Sequence, residues 1–474
     1  MNMLAGLTLT PFEWTMTNDF SSSPMEFVIR VCGTGEIEEE AWAQAILNSL
    51  KQQPLLQANA SIGPTHRKSS WRPASNSSPV IQWLVGDPNQ GRGYPEDFRP
   101  IDLESEIGFR FYGWRYEINQ QQRIEMKFVF HHASCDGKGA IGFIEQVICE
   151  YRLLLGEIQP EAVPSFDGDR ILDRNRRKPF GFSVVDRIKR ALLVRPKRIA
   201  SMLFTSPAAL CPRPAHSDDL FAHPPRQCSA TLDSETTRQL GSFAKSNSAT
   251  TNTVLARELF HVLGDYLRDS GDDVGNSNTL VRMLVPFSLR DERHLQMPAA
   301  NCVSMAYLEA KKSLLIRDNS STRSILLNDL AKQMDFIRRW KLQYSWIEAI
   351  ESHARFWPLI RIANAFRKND KTKRQGATTI FSNLGRVFGS GSQLDGEGNA
   401  TAGGLEIETV HLVLPCNDRQ SMTFTANFYR DRLTLDVCWL PSMVSEETAQ
   451  RLLGSWKSRV VELALKGNHD LGNC

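Results

Sequence analysis

The chain has 474 residues, 41% hydrophobic and 23% charged, a globular balance that excludes wholesale disorder and exceeds what one hydrophobic core ordinarily fills, so two domains are expected. A formal net charge of +3 gives no whole-chain reason to expect nucleic acid as a partner. Nine scattered cysteines, with no CxxC pair and no Cys/His spacing of the metal-binding kind, point to no metal site and read as reduced, mostly buried thiols.

At the N-terminus no basic segment precedes a long apolar run, and no stretch reaches the ~18 apolar residues that spanning a bilayer requires. A cytoplasmic location is expected. The first elements are a strand at "MEFVIRVCG" and an amphipathic helix at "EEEAWAQAILNSLKQQPLL", stopped by Pro54, with Trp42, Ile46, Leu47 and Leu50 on one face. Strands follow at "FRFYGWRYE" and "RIEMKFVFHH". In the second, Ile124, Met126, Phe128 and Phe130 alternate with Glu125, Lys127 and Val129, which predicts one buried face. After the loop "HHASCDG", residues Ile141, Ile144, Ile148, Tyr151 and Leu155 recur at helical spacing. The unit reads strand, tight loop, helix.

From about residue 160 to 226 the pattern gives way to a Pro- and Arg-rich crossover, so the expected division is 1–165, a basic linker over 166–225, and 226–474. The run from Arg170 to Arg198 holds eleven Lys/Arg and two Asp. Within it Val185, Ile188 and Leu192 share one helical face, with Arg187 and Arg190 elsewhere. The favoured reading is a solvated helix packed on the core by that stripe; the functional alternative is contact with a membrane surface, an acidic carrier protein or phosphates. A second basic stretch, "RFWPLIRIANAFRKNDKTKR", has the same character.

The second half opens with a helix at "SATTNTVLARELFHVLGDYLRD", capped by Thr251 or Asn252, and a strand at "TLVRMLVPFSLR" closed by Pro286. Next come a long helical region over 322–367, a strand at "TTIFSNLG" and a glycine-rich stretch over 385–404 that reads as a surface loop, lacking a Walker lysine and a complete GxGxxG. A hairpin follows, with Phe424, Ala426 and Phe428 on one arm and Leu433, Leu435, Val437 and Trp439 on the other, around Arg430-Asp431-Arg432. A helix after Ser445 buries Leu452, Leu453, Trp456, Val460 and Leu463.

The chemistry concentrates in "VFHHASCDGKGAIGF". Continued strand parity puts His132 on the face of Phe128 and Phe130 and His131 on that of Val129, so the two histidines have different jobs. A partly desolvated histidine at a strand end is held neutral, as a general base must be. Asp136 and Gly137 sit at a helix start, where backbone N–H groups point outward and favour a developing oxyanion. The bland alternatives are a structural histidine and a simple aspartate N-cap. Cys135 inside the loop invites a nucleophile reading, but its x position in the pattern favours a small filler. The pattern His-His-x-x-x-Asp-Gly would arise by chance on the order of once per thousand such sequences.

That pattern resembles the HHxxxDG motif of the CoA-dependent acyltransferase superfamily, which includes chloramphenicol acetyltransferase, wax ester synthases and nonribosomal condensation domains. "LVPFSLRDE" and "FSNLG" are weaker echoes of the same family, and the plant-type DFGWG motif is absent. The resemblance implies an α/β fold of two chloramphenicol-acetyltransferase-like halves meeting in a V around a tunnel. It implies His132 as general base, Gly137 with His131, Ser382 or Asn383 around the substrate oxyanion, and Asp136 paired with an arginine, for which Arg290 is the candidate. It also implies no tightly bound cofactor, an acyl-CoA or carrier-phosphopantetheine thioester as co-substrate, a small-molecule acceptor, and an acyl carrier protein or membrane surface as further partners. The alternatives are a carrier-dependent, amide-forming condensation protein and a catalytically silent binding member.

Overall fold

The computed structural model describes residues 4, 6–18, 25–74, 78–86, 99–175, 183–194, 207–211, 224–269, 279–316, 319–345, 347–348, 376–388, 400–417 and 420–471. In chain order the N-terminal part gives α1 (Pro11–Asn18), β1 (Glu26–Thr34), α2 (Glu39–Leu50), β2 (Ala58–Ser61), β3 (Ser70–Pro73), β4 (Val80–Val85), β5 (Phe109–Ile118), β6 (Gln121–His131) and α3 (Gly137–Leu154). The short helix α4 (Val184–Lys189) lies in the crossover. The remainder gives β7 (Arg226–Thr231), α5 (Ser234–Ser246), α6 (Thr251–Asp269), β8 (Leu280–Ser288), β9 (Val303–Lys311), α7 (Ser320–Trp340), β10 (Thr379–Arg386), β11 (Thr401–Ala402), β12 (Leu405–Val413), β13 (Met422–Tyr429), β14 (Arg432–Trp439) and α8 (Glu446–Leu471).

The strands form two six-stranded sheets, ordered β11-β12-β1-β6-β5-β4 and β7-β14-β13-β10-β8-β9, the two lobes of a mixed α/β fold. α2 and α3 cover the first sheet through Trp42, Phe111, Phe128 and Tyr151. α6 and α8 cover the second, with Trp456 edge-on to both Phe381 and Phe424. The first sheet is completed from the far end of the chain, because β12 pairs with β1 from Val28↔Val413 to Thr34↔Glu406. The N-terminal half expected over 1–165 therefore contains a hairpin drawn from 401–413, inside the stretch assigned to the C-terminal half. β12 also meets β13 and β14 of the other sheet: Thr425 Oγ1 donates to the Leu412 carbonyl at 3.2 Å and Asn427 Nδ2 to that of Val410 at 3.0 Å.

Several local expectations are revised. β6 is buried on both faces, since Glu125 and Lys127 are 1% and 5% exposed. They are held inside by mutual pairing at 3.0 Å and by Arg30 on Glu125 at 2.8 Å. Leu47 of α2 lies outside the buried face, which uses Ala45 and Ser49 instead. α6 is capped one residue earlier than expected, by Thr250 Oγ1 accepting from the Thr253 amide at 3.2 Å. β8 continues through Pro286, which sits opposite Met305 of β9. Pairing of β8 with β10 stops at Leu284, so the missing proline N–H falls where the ladder has already parted and costs no strand bond. In the crossover, α4 and its continuation to Val194 expose Val185, Ile188 and Leu192 instead of packing them inward. The helix expected to reach 367 is observed as Ser320–Trp340; residues 349–375, with the second basic stretch, and most of the glycine-rich stretch lie outside the described residues.

Candidate active site

A cavity of about 110 Å³ lies between the sheets, lined by residues of β8, β9 and β10 where β8 and β10 have parted. Its polar lining is His132, Asp136, Lys138, Ser288, Ser382 and Asn383. The apolar lining includes Met16, Met25, Phe27, Met305, Leu384 and Leu412, from both lobes.

β6 ends at His131, and the next three residues turn the chain towards α3. The His132 amide donates to the Met25 carbonyl at 2.9 Å, and its ring packs on Phe27 at 5.0 Å between centroids. Burial pushes the His132 pKa down, opposed by its own carbonyl, the Asp136 carboxylate and the Cys135 carbonyl. His131 is separate: its Nδ1 accepts from the Ala133 amide at 3.2 Å, and burial drives its pKa down to about 3. His131 is absent from the cavity lining.

Asp136 both caps α3 and pairs across the lobes. Oδ1 accepts from the Gly139 amide at 2.9 Å, while Oδ2 accepts from Arg290 Nη1 at 2.5 Å and from the Cys302 amide at 2.8 Å. The N-cap and ion-pair readings are thus two halves of one carboxylate. Burial alone would raise its pKa, but Arg290 and the two amides hold it below the ordinary carboxylate range. Arg290 in turn donates from Nη2 to the Ala300 carbonyl at 2.9 Å. The negative charge beside the histidine is paired with Arg290, and although it still favours the imidazolium, burial outweighs it and the His132 pKa stays lowered.

Gly137 opens α3 under Leu384 of β10; a Cβ there would stand 2.6 Å from Leu384 Cδ2. Ser382 and Asn383 reach the cavity from β10, but the Asn383 side chain is engaged, donating to Asn252 Oδ1 at 3.2 Å and accepting from the Gly385 amide at 2.8 Å. Cys135 is fully buried and its thiol pKa is driven up, first by burial and then by Asp136, the opposite of what a nucleophile needs.

Asn301 was not legible as a site residue. Its Nδ2 donates to the His132 carbonyl at 2.7 Å and lies 3.4 Å from Nδ1. The only hint in the sequence was an asparagine inside the otherwise apolar "AANCV". Met16, Met25 and Met305 were missed as well, since nothing local to them points at a cavity assembled from three distant segments.

No protein-family model matches the sequence, and no curated protein matches it. Among solved structures the chain is similar to the TRI3 trichothecene 15-O-acetyltransferase from Fusarium sporotrichioides, at 12% identity and a TM-score of 0.65 over 96% of this chain and 94% of that one. It is also similar to the first condensation domain of the CDA synthetase, at 14% identity and a TM-score of 0.60 over 97% and 95%. A third is the starter condensation domain of rhizomide synthetase RzmA in complex with C8-CoA, at 15% identity and a TM-score of 0.63 over 97% and 94%. These likenesses establish a two-lobed acyltransferase and condensation-type fold spanning nearly the whole chain.

Proposed function

We propose that the protein is an acyltransferase that moves an acyl group from a thioester, acyl-CoA or carrier-bound, to a hydroxyl or amine. The observation that carries this reading is the His132 ring in an apolar cavity between the lobes, beside a carboxylate already neutralised by Arg290. His132 Nε2 takes the acceptor proton while the acceptor heteroatom attacks the thioester carbonyl. The Gly137 amide at the α3 start and the Ser382 hydroxyl stabilise the resulting oxyanion. Collapse breaks the C–S bond, and the leaving thiolate takes the proton back from His132. No acyl-enzyme forms.

The cavity lining is mostly apolar, with Lys138 as its ammonium group. Its one carboxylate, Asp136, is committed to Arg290, and three methionines give an adaptable apolar wall suited to an acyl chain or an apolar acceptor. This supports an acyl-CoA-dependent ester former over an amide-forming condensation protein. Incubating the protein with a panel of acyl-CoAs and uncharged acceptors, and following thiol release with product mass, tests the reading. Release requiring both substrates is expected. Turnover only with a carrier-bound donor would shift the assignment to condensation, and tight binding without turnover to a silent member.

A further inference from the structure

We propose that α4 and the C-terminal end of α7 form a docking surface for an anionic lipid bilayer. The region is amphipathic with its apolar side turned outward. Val184, Val185 and Ile188 are 72%, 59% and 52% exposed, and Leu192 and Leu193, in the wide turn that continues α4 to Val194, are 68% and 66% exposed. At about 100° per residue, Val184, Val185, Ile188 and Leu192 fall within one arc of about a third of the helix circumference. Arg190 falls opposite the middle of that arc, and it is the residue that fastens the segment to the protein. Its side chain is 10% exposed, Nε donates to the Trp340 carbonyl at 2.9 Å, and the guanidinium pairs with Glu348 at 2.9 Å. A helix anchored through a buried arginine on one side presents its aliphatic side away from the body.

The same anchor brings the end of α7 alongside. Phe336 is 45% exposed there, Arg338 is exposed and paired with the exposed Asp335 at 4.0 Å, and the Arg339 guanidinium lies over the Trp340 ring at 5.7 Å. Arg187 and Lys189 are exposed on the edges of the α4 stripe. α4 thus presents an aliphatic stripe edged by Arg187 and Lys189, the arrangement that seats a helix at a lipid headgroup boundary, where apolar burial and attraction to anionic lipid act together. Charge selects this occupant. A second copy would set Arg187, Lys189, Arg338 and Arg339 against their equivalents, whereas an anionic bilayer complements them. No helix among the described residues is long and apolar enough to cross a membrane, so the contact is at the surface.

Flotation of the full chain with vesicles tests this. With phosphatidylcholine–phosphatidylserine vesicles at low salt the protein should float; with phosphatidylcholine alone, or at high salt, the bound fraction should fall about tenfold. Two variants, Ile188→Asp with Leu192→Asp and Arg187→Glu with Lys189→Glu, should each lose about tenfold or more in binding while circular dichroism and thermal unfolding stay at wild-type values, because every altered side chain is exposed. Flotation unchanged in either variant, or absent at low salt, overturns the proposal. So does a concentration-dependent dimer in sedimentation that the first variant abolishes, which would assign the stripe to a second copy.

Discussion

Replacing Asp136 by alanine removes a carboxylate that accepts three hydrogen bonds, from Arg290, Cys302 and Gly139. The side chains of Asp136 and Arg290 are 6% and 19% exposed, so the guanidinium left behind is largely out of water. Stranding one partner of a buried pair costs about 3–5 kcal/mol, and loss of the helix cap alone about 1 kcal/mol. Partial exposure of Arg290 places the expected loss near the lower end, about 3 kcal/mol. Arg290→Ala should cost less, about 2 kcal/mol, because the carboxylate keeps two backbone amides. In the double variant no stranded charge remains, so its cost should fall short of the sum of the singles by more than ~1 kcal/mol. Urea unfolding of the wild type, both singles and the double measures this directly. Additivity within ~0.5 kcal/mol would refute the claim that the pair locks the His132 loop.

Three further outcomes are expected. His411 of β12 and Asp436 of β14 bond at 2.9 Å between the lobes, and although burial opposes it, Asp436 raises the His411 pKa to about 9. A raised histidine stabilises the fold fully below its unfolded value of about 6.5 and loses that contribution as pH rises to about 9, so on the order of 3 kcal/mol should disappear across that window in the wild type and not in His411→Asn, read by unfolding at stepped pH. Asn301→Ala should lower kcat about tenfold with KM little changed, since it frees the His132 carbonyl without opening the substrate cavity; a changed KM with normal kcat would contradict this. Gly137→Ala should lose activity by crowding Leu384, and Leu384→Ala should recover part of it in the double variant, as judged from steady-state rates.

The repeating elements of this fold were legible because each repeats within a short window: the alternation of β6, the helical spacing of α3, and the hairpin at Arg430-Asp431, both of which adopt positive φ. What the window could not show is where distant chain segments return. Glu125 and Lys127 read as solvent-facing because β6 alone does not reveal that the second face of its sheet, with Val28 and Val129, packs against distant groups such as Phe12, Trp71 and Leu440. Pro286 read as a strand end because its tolerance depends on β10 having already diverged. In the site, the motif residues could be named from local order, but Asn301 and the three methionines act from 107 to 173 residues away from His132, on elements whose convergence is a property of the whole fold. The outward face of α4 was hidden for the same reason: periodicity gives the stripe, while the buried Arg190 decides which way it points.

The central claim is that His132 is the general base of thioester-dependent acyl transfer. The most direct measurement is thiol release from an acyl-CoA in the presence of an acceptor identified by product mass, compared between wild type and His132→Ala of matched thermal stability. The account predicts a loss of roughly 100-fold or more in turnover with the fold intact. Near-normal turnover by His132→Ala would contradict it.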